Sequence, residues 1–204
     1  MEFTTLPHRL GNLIVKEEGF KDQYNEIEQA IGSITEDEII ETHRERYSKQ
    51  KSISKAINHL LKERLMNLGW EAETAIFQHP DYEAKKGKYR IDFAKQNISM
   101  EVAFNNDGYT AWNLLKPTLA SQLNHVKKAI QTKMGIVVMI TKEMKQKGGF
   151  DSTVCTMENT KKYLAIMESQ LTVPLLIMGL KPPSSFIVEH IEVNGKKRAK
   201  IKRI

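Results

Sequence analysis

Two short runs of alternating polarity constrain this chain more than any other feature. Tyr89, Ile91 and Phe93 alternate with Arg90, Asp92 and Ala94, and Ile98, Met100, Val102 and Phe104 alternate with Ser99, Glu101, Ala103 and Asn105. A period of two is that of a β-strand with one face on a core and the other turned away from it. Gln96-Asn97 lies between the runs, and asparagine tolerates the geometry of a tight turn. The spacing predicts a two-residue hairpin in which Lys95 faces Ile98. Counting back along it puts Asp92 opposite Glu101 and Arg90 opposite Ala103, with paired Cβ atoms about 5 Å apart and both carboxylates pointing away from the apolar face.

Two carboxylates so placed repel one another, and a divalent cation resolves the repulsion. Mg²⁺ characteristically takes one or two carboxylates and keeps waters and phosphate oxygens for its remaining positions. Such an ion orients and activates water and stabilises charge developing on a phosphate. Spacing alone leaves a second reading open, in which both are solvent-exposed strand residues, one of them paired with Arg90 or Lys88.

Around this hairpin the pattern is that of a mixed α/β domain. Residues from about Phe20 to Leu68 read as helical, with Ile53, Ala56, Ile57, Leu60, Leu61, Leu65 and Leu68 recurring at three- and four-residue spacing before Gly69 stops the run. A helix is expected after Pro117, with Leu119, Leu123, Val126 and Ile130 as its apolar stripe. By periodicity that stripe reads as core. Gly135–Thr141 and Pro174–Gly179 read as strands buried on both faces, with a helix from about Met157 to Gln170 between them. The organisation expected is one domain over 1–204: a helical part over about 1–69, a catalytic sheet with its helices over about 70–180, and a basic tail over 181–204.

Composition excludes several classes. No apolar run approaches the roughly 20 residues of a membrane helix, and Glu2, Glu17 and Glu18 interrupt any signal-peptide pattern. The single cysteine, Cys155, permits no internal disulfide and no cysteine-based zinc site, and reads as a small buried hydrophobe. A cytoplasmic location is expected. The six histidines are scattered, and no Gly-rich phosphate loop is present, so no nucleotide cofactor is expected. The net charge of +6 makes nucleic acid the first partner to consider, and the last ten residues carry six positive charges and no negative one.

Tyr89-Arg-Ile-Asp92-Phe-Ala-Lys-Gln-Asn-Ile-Ser-Met-Glu101-Val-Ala103-Phe-Asn-Asn106 resembles the active-site hairpin of type II restriction endonucleases of the BamHI/BglII/BstYI group, within the PD-(D/E)xK nuclease superfamily. The likeness includes an Asp followed nine residues later by Glu-Val-x-Phe, then a polar loop and a helix. It extends upstream to Leu-Lys-Glu-Arg-Leu-Met-Asn-Leu-Gly-Trp70 and downstream through Gly179. The resemblance implies a restriction-endonuclease-like α/β core and Mg²⁺-dependent hydrolysis of duplex DNA at a short palindrome, a GATC-centred one being plausible. Mn²⁺ is expected to substitute. A homodimer is also implied, formed through the helix that carries the Leu119 stripe.

Position by position, the resemblance makes Asp92 the central metal ligand and Glu101 the second, with the Val102 carbonyl completing the set. Glu73 matches the place of a supporting residue. One departure matters. The position two after the Glu, which positions or activates the attacking water in these enzymes, is here Ala103, and a methyl group does neither. Arg90, expected opposite it, is a candidate for stabilising phosphate charge. The Pro80-Asp81 dipeptide is a weaker alternative to Asp92, since Tyr82–Gly87 reads as a mobile loop with no strand pairing toward Glu101.

In the resembled enzymes the loop after the second strand contacts bases. This points to Asn105, Asn106 and Asp107, of which Asn106 matches a base-reading Asn. Ser152 and Thr153 match a second recognition segment. Lys142, Lys145 and Lys147 are expected phosphate contacts. Two further readings stay open at this level: a DNA-binding protein without catalysis, and a nuclease of the same superfamily serving repair or transposition.

Overall fold

The computed structural model describes residues 1–79, 81, 89–122 and 126–204. The elements are β1 (Phe3–His8), α1 (Gly11–Ile14), α2 (Lys21–Gly32), α3 (Glu36–Arg46), α4 (Ser54–Asn67), β2 (Glu71–Ala75), β3 (Arg90–Lys95) and β4 (Ile98–Val102). After a single 3₁₀ turn at Asp107–Tyr109 come α5 (Thr110–Ser121), β5 (Met134–Ile140), α6 (Lys142–Lys147), α7 (Met157–Ile166), β6 (Leu175–Leu180), β7 (Phe186–Val193) and β8 (Lys196–Arg203). Six strands form a sheet in the order β1-β6-β5-β4-β3-β2, and β7-β8 is a separate ribbon. The mixed sheet flanked by helices is the architecture expected.

The sheet changes character at β4. On one side β2, β3 and β4 pair antiparallel, and on the other β4, β5 and β6 pair parallel. Every residue of β5 and β6 is buried, which is why both read as unbroken apolar runs rather than alternating ones. Gly69, at φ 81, ends α4 through the left-handed turn expected of it.

Three expectations need correction. The first 69 residues are not helical throughout, because Phe3–His8 lies antiparallel along β6 with Phe3 beside Leu180 and His8 beside Leu175. An edge strand tolerates Pro7, whose missing N–H need not face a neighbour. The basic tail is instead a β-hairpin. Asn194 and Gly195 both have positive φ, 52 and 69, the geometry of a type I′ turn that an Asn-Gly pair favours. Phe186 and Val188 are buried under it, and the Ala199 amide donates to the Gln50 carbonyl at 2.8 Å.

The third correction concerns α5, which starts at Thr110 and carries Pro117 in its interior rather than before its first turn. An interior proline removes a helical hydrogen bond and costs stability. What holds it is packing: Gly135 of β5 has no space for a Cβ, because the Pro117 ring fills that volume. Thr110, Asn113, Leu114, Pro117, Thr118 and Ala120 are buried, so α5 lies flat on the sheet. Of the expected stripe, only Leu119 is in this helix. With Val126 and Ile130 it packs on Ile76, Phe77, Ile91, Ala94 and Ala120 within the same chain. Leu123, Pro80 and residues 82–88, which include the expected loop Tyr82–Gly87 and Lys88, lie outside the described residues. Among those described, no helix is long and apolar enough to cross a membrane.

Gly135→Ala tests the α5 contact. Overpacking of this kind costs about 1–3 kcal/mol, so the melting temperature is expected to fall by roughly 2–10 °C for a chain of this size. An unchanged calorimetric melt would show that Pro117 does not pin the helix there.

Candidate active site

The β3–β4 ladder runs from Lys95↔Ile98 through Ala94↔Ser99 to Phe93↔Met100, in the register read from the sequence, and then stops. Beyond it the strands splay and side chains take over. The Asp92 amide donates to Glu101 Oε1 at 3.1 Å, and the Val102 amide donates to Asp92 Oδ2 at 2.7 Å. The two carboxylates therefore meet where a backbone rung would otherwise be. The Arg90–Ala103 pairing does not form. The Ala103 amide donates to the Val138 carbonyl at 2.8 Å instead, and the Arg90 guanidinium donates to the Glu73 carbonyl. Arg90 thus braces β2 in this arrangement.

The face carrying Glu101 is not open to solvent as expected, because α5 covers it: Glu101 is 1 % exposed and Ala103 2 %. Ala103 sits in an apolar cluster with Leu114, Val137 and Met139. Against Glu101 Oε2 lies the ammonium of Lys116, its side chain only 11 % exposed. Lys116 is not legible in the sequence, since a lysine beside a proline carries no signal of which strand its helix will cover.

Burial pushes the Glu101 carboxyl well above the usual range, the Asp92 charge adds to the rise, and Lys116 opposes it. Asp92 is raised by burial too, with Lys116 and the Val102 amide opposing and Glu73 adding a little. With both ionised, the buried Glu101 and the half-buried Asp92 outweigh the one ammonium by a negative charge, which favours a cation. Among the described residues no cluster of three or more His, Cys, Asp or Glu side chains forms. Two carboxylates with the remaining positions left to water and phosphate fit Mg²⁺ and do not fit a zinc site.

Asp92 opens onto a cleft of about 370 Å³ whose walls include Glu73, Asn105 and, from α4, Lys55, Asn58 and Lys62. Glu73 is exposed, sits in β2 and has a positive φ of 54, a strained backbone for a non-glycine residue at the cleft edge. Lys55, Asn58 and Lys62 recur at helical spacing on the face opposite Ala56, Ile57, Leu60 and Leu61. Their period was legible; the cleft they overlook was not.

The two expected recognition segments are joined. The Asp107 amide donates to the Thr153 carbonyl at 2.7 Å, and Asn106 forms a bridge with Val154. Tyr163 Oη donates to Asp107 Oδ2 at 2.9 Å, so the Asp107 carboxylate braces this junction. Asn106 Oδ1 accepts from the Gly108 amide, and Asn105 Oδ1 from Asn113 Nδ2. Thr153 is bonded to Asp151 through its hydroxyl, while Ser152 lines a neighbouring cleft with Lys142. Of the expected phosphate contacts, Lys145 donates to the carbonyls of Ser152 and Val154 at 2.6 and 2.7 Å, clamping the segment, and Lys147 pairs with Glu143. Asp81, the alternative acid, is exposed and pairs with His79. Cys155 is buried and free.

Residues 3–180 match the model of the restriction endonuclease BglII/BglIII family. The chain belongs to this family. It is accordingly a type II restriction endonuclease acting on DNA. Comparison with curated proteins gives no significant match. Among solved structures, restriction endonuclease BglII complexed with a DNA 16-mer is 17 % identical, with a TM-score of 0.67 and 100 % of each chain covered. Free BglII is 14 % identical, with a TM-score of 0.58, covering 99 % of this chain and 92 % of that one. These likenesses carry the fold, and the residues above stand on their own geometry.

Asp92→Asn keeps an oxygen for the Val102 amide and removes one of two repelling charges. In EDTA the variant is expected to melt about 2–4 °C higher than the wild type, the shift that roughly 1 kcal/mol gives in a protein of this size. An equal or lower melting temperature would show that the carboxylates do not oppose one another.

Proposed function

We propose that this restriction endonuclease hydrolyses phosphodiester bonds of duplex DNA with Mg²⁺ held by Asp92, Glu101 and the Val102 carbonyl, Mn²⁺ substituting. The observation that carries this reading is the broken ladder, where Asp92 and Glu101 converge on the backbone of each other's strand beside an open cleft. The bound ion would polarise the scissile phosphate and lower the pKa of the attacking water. Asp92 and Glu101 fix where the phosphate lies. Lys55 and Lys62 face the same cleft and supply positive charge for the DNA backbone, and Lys142 does so beside Ser152. Glu73 completes the acidic edge, and Arg90 holds Glu73 in place through its carbonyl.

The joined segment of Asn105, Asn106, Ser152 and Thr153 is the proposed reading surface, its hydroxyls and amides facing base edges while Asp107 and Lys145 keep it rigid. A short palindrome, GATC-centred by family analogy, cut by a homodimer is part of the proposal. So are a cytoplasmic location and the treatment of residues 1–204 as one domain. A non-catalytic DNA-binding role is the second reading, favoured by the burial of Ala103 where a polar group would serve catalysis.

The deciding experiment incubates purified protein with unmethylated plasmid and phage DNA in Mg²⁺ or EDTA, beside Asp92→Ala. Discrete fragments requiring both Mg²⁺ and Asp92 are expected, and sequencing their ends gives the site. DNA binding without cutting would move the protein to the second reading.

A further inference from the structure

Lys116 is a charged side chain placed where charge is expensive. Its side chain is 11 % exposed, and that of its partner Glu101 is 2 % exposed. Burying an ammonium costs several kcal/mol unless the pairing is good. The next residue, Pro117, packs closely on Gly135 and so sets the position of this turn of α5 against the sheet. At the position two after Glu101 the chain offers no polar group, because Ala103 ends in a methyl group within the Leu114, Val137 and Met139 cluster.

From this we propose that Lys116 is the third catalytic group of the nuclease, delivered from helix α5 in place of the donor that β4 lacks at Ala103. The proposal rests on the metal-dependent cleavage argued above. In the free protein the ammonium stands on Glu101 as a provisional counter-charge. A divalent cation sharing the Glu101 carboxylate would weaken that hold, and the four-carbon stem would let the ammonium turn to the nearest new anionic oxygen, that of the scissile phosphate or the water attacking it. There it donates hydrogen bonds and stays protonated throughout. The water oxygen bonds to phosphorus, one phosphorus–ester oxygen bond breaks, the attacking water loses a proton to solvent, and the leaving alkoxide takes one up.

The test compares wild type, Lys116→Met, Lys116→Arg and Asp92→Ala. Cleavage of plasmid is followed under enzyme excess at saturating Mg²⁺, and Mn²⁺ binding to the DNA-free protein by electron paramagnetic resonance. Lys116→Met is expected to cut about 100-fold slower or worse, in the range for loss of a positioned donor, and to bind Mn²⁺ at least about threefold tighter because Glu101 has lost its competing ammonium. Lys116→Arg keeps the charge on Glu101, and with it a wild-type melt. It is nevertheless expected to cut roughly tenfold slower or worse, since a planar fork does not reproduce a mobile point charge. Wild-type cleavage by Lys116→Arg, or a Lys116→Met defect that disappears at saturating metal, overturns the catalytic role. Should Lys116→Met fail to fold, the arginine variant decides. Failure of the wild type to cut, or cutting by Asp92→Ala, instead overturns the metal-dependent reading, while an unchanged Mn²⁺ affinity in Lys116→Met counts against Lys116 alone.

Discussion

The site depends on one broken rung. β3 and β4 are paired at their turn and part after Phe93 and Met100, because β4 must also run parallel to β5 with Glu101 beside Val137 and Val102 beside Val138. A backbone amide left unpaired in this interior costs free energy. Glu101 and Asp92 satisfy the two amides that the separation frees, and in doing so are drawn into a place where neither is well solvated. The two groups that complete these hydrogen bonds are the same two carboxylates proposed to hold the cation. The turn end is fixed independently: Lys95 donates to both carboxylate oxygens of Glu26 and to the Leu68 carbonyl, and Gln96 accepts from Gln23. With one end held, the opening at the other is a feature of the fold.

What was legible in the sequence was local. The alternation over 89–104 gave the hairpin and its register, because strand period and turn length are set by neighbouring residues. It did not give the splay, which β5 imposes from a distance, nor the burial of Glu101, which α5 imposes. The strand β1 was missed for a similar reason: Phe3–His8 has no strong period, and it becomes a strand because β6 offers it an edge. The β7–β8 hairpin is a different case. Asn194-Gly195 between alternating residues is a readable turn signal, though the density of positive charge around it suggests a solvated tail.

The proposed recognition surface shows that a residue's type does not fix its bonding partners. Asp107 and Lys145 looked like groups for bases and phosphates. In this structure each also bonds neighbouring protein atoms, Asp107 to Tyr163 and Lys145 to two carbonyls. Polar side chains that read DNA must be held still, and holding them requires other polar side chains of the same kinds. Composition cannot separate the two roles; the bond partners do.

Lys116 extends this argument to the catalytic centre. Ala103 leaves the position two after Glu101 without a polar group, which in a strand-only view implies a decayed site. Yet a decayed site has no reason to keep a buried ammonium on its second carboxylate, since an apolar residue against a neutral partner would be as stable or more so. Nor would it need an interior proline seated on a glycine to keep that ammonium in place. The cost of the buried ion pair and the cost of Pro117 fall on the same turn of α5, and both are offset only if the position of that turn relative to β4 matters. On this proposal the fold supplies from a helix what the neighbouring strand does not carry, and Ala103 marks where the donor is absent from the strand rather than where catalysis ends.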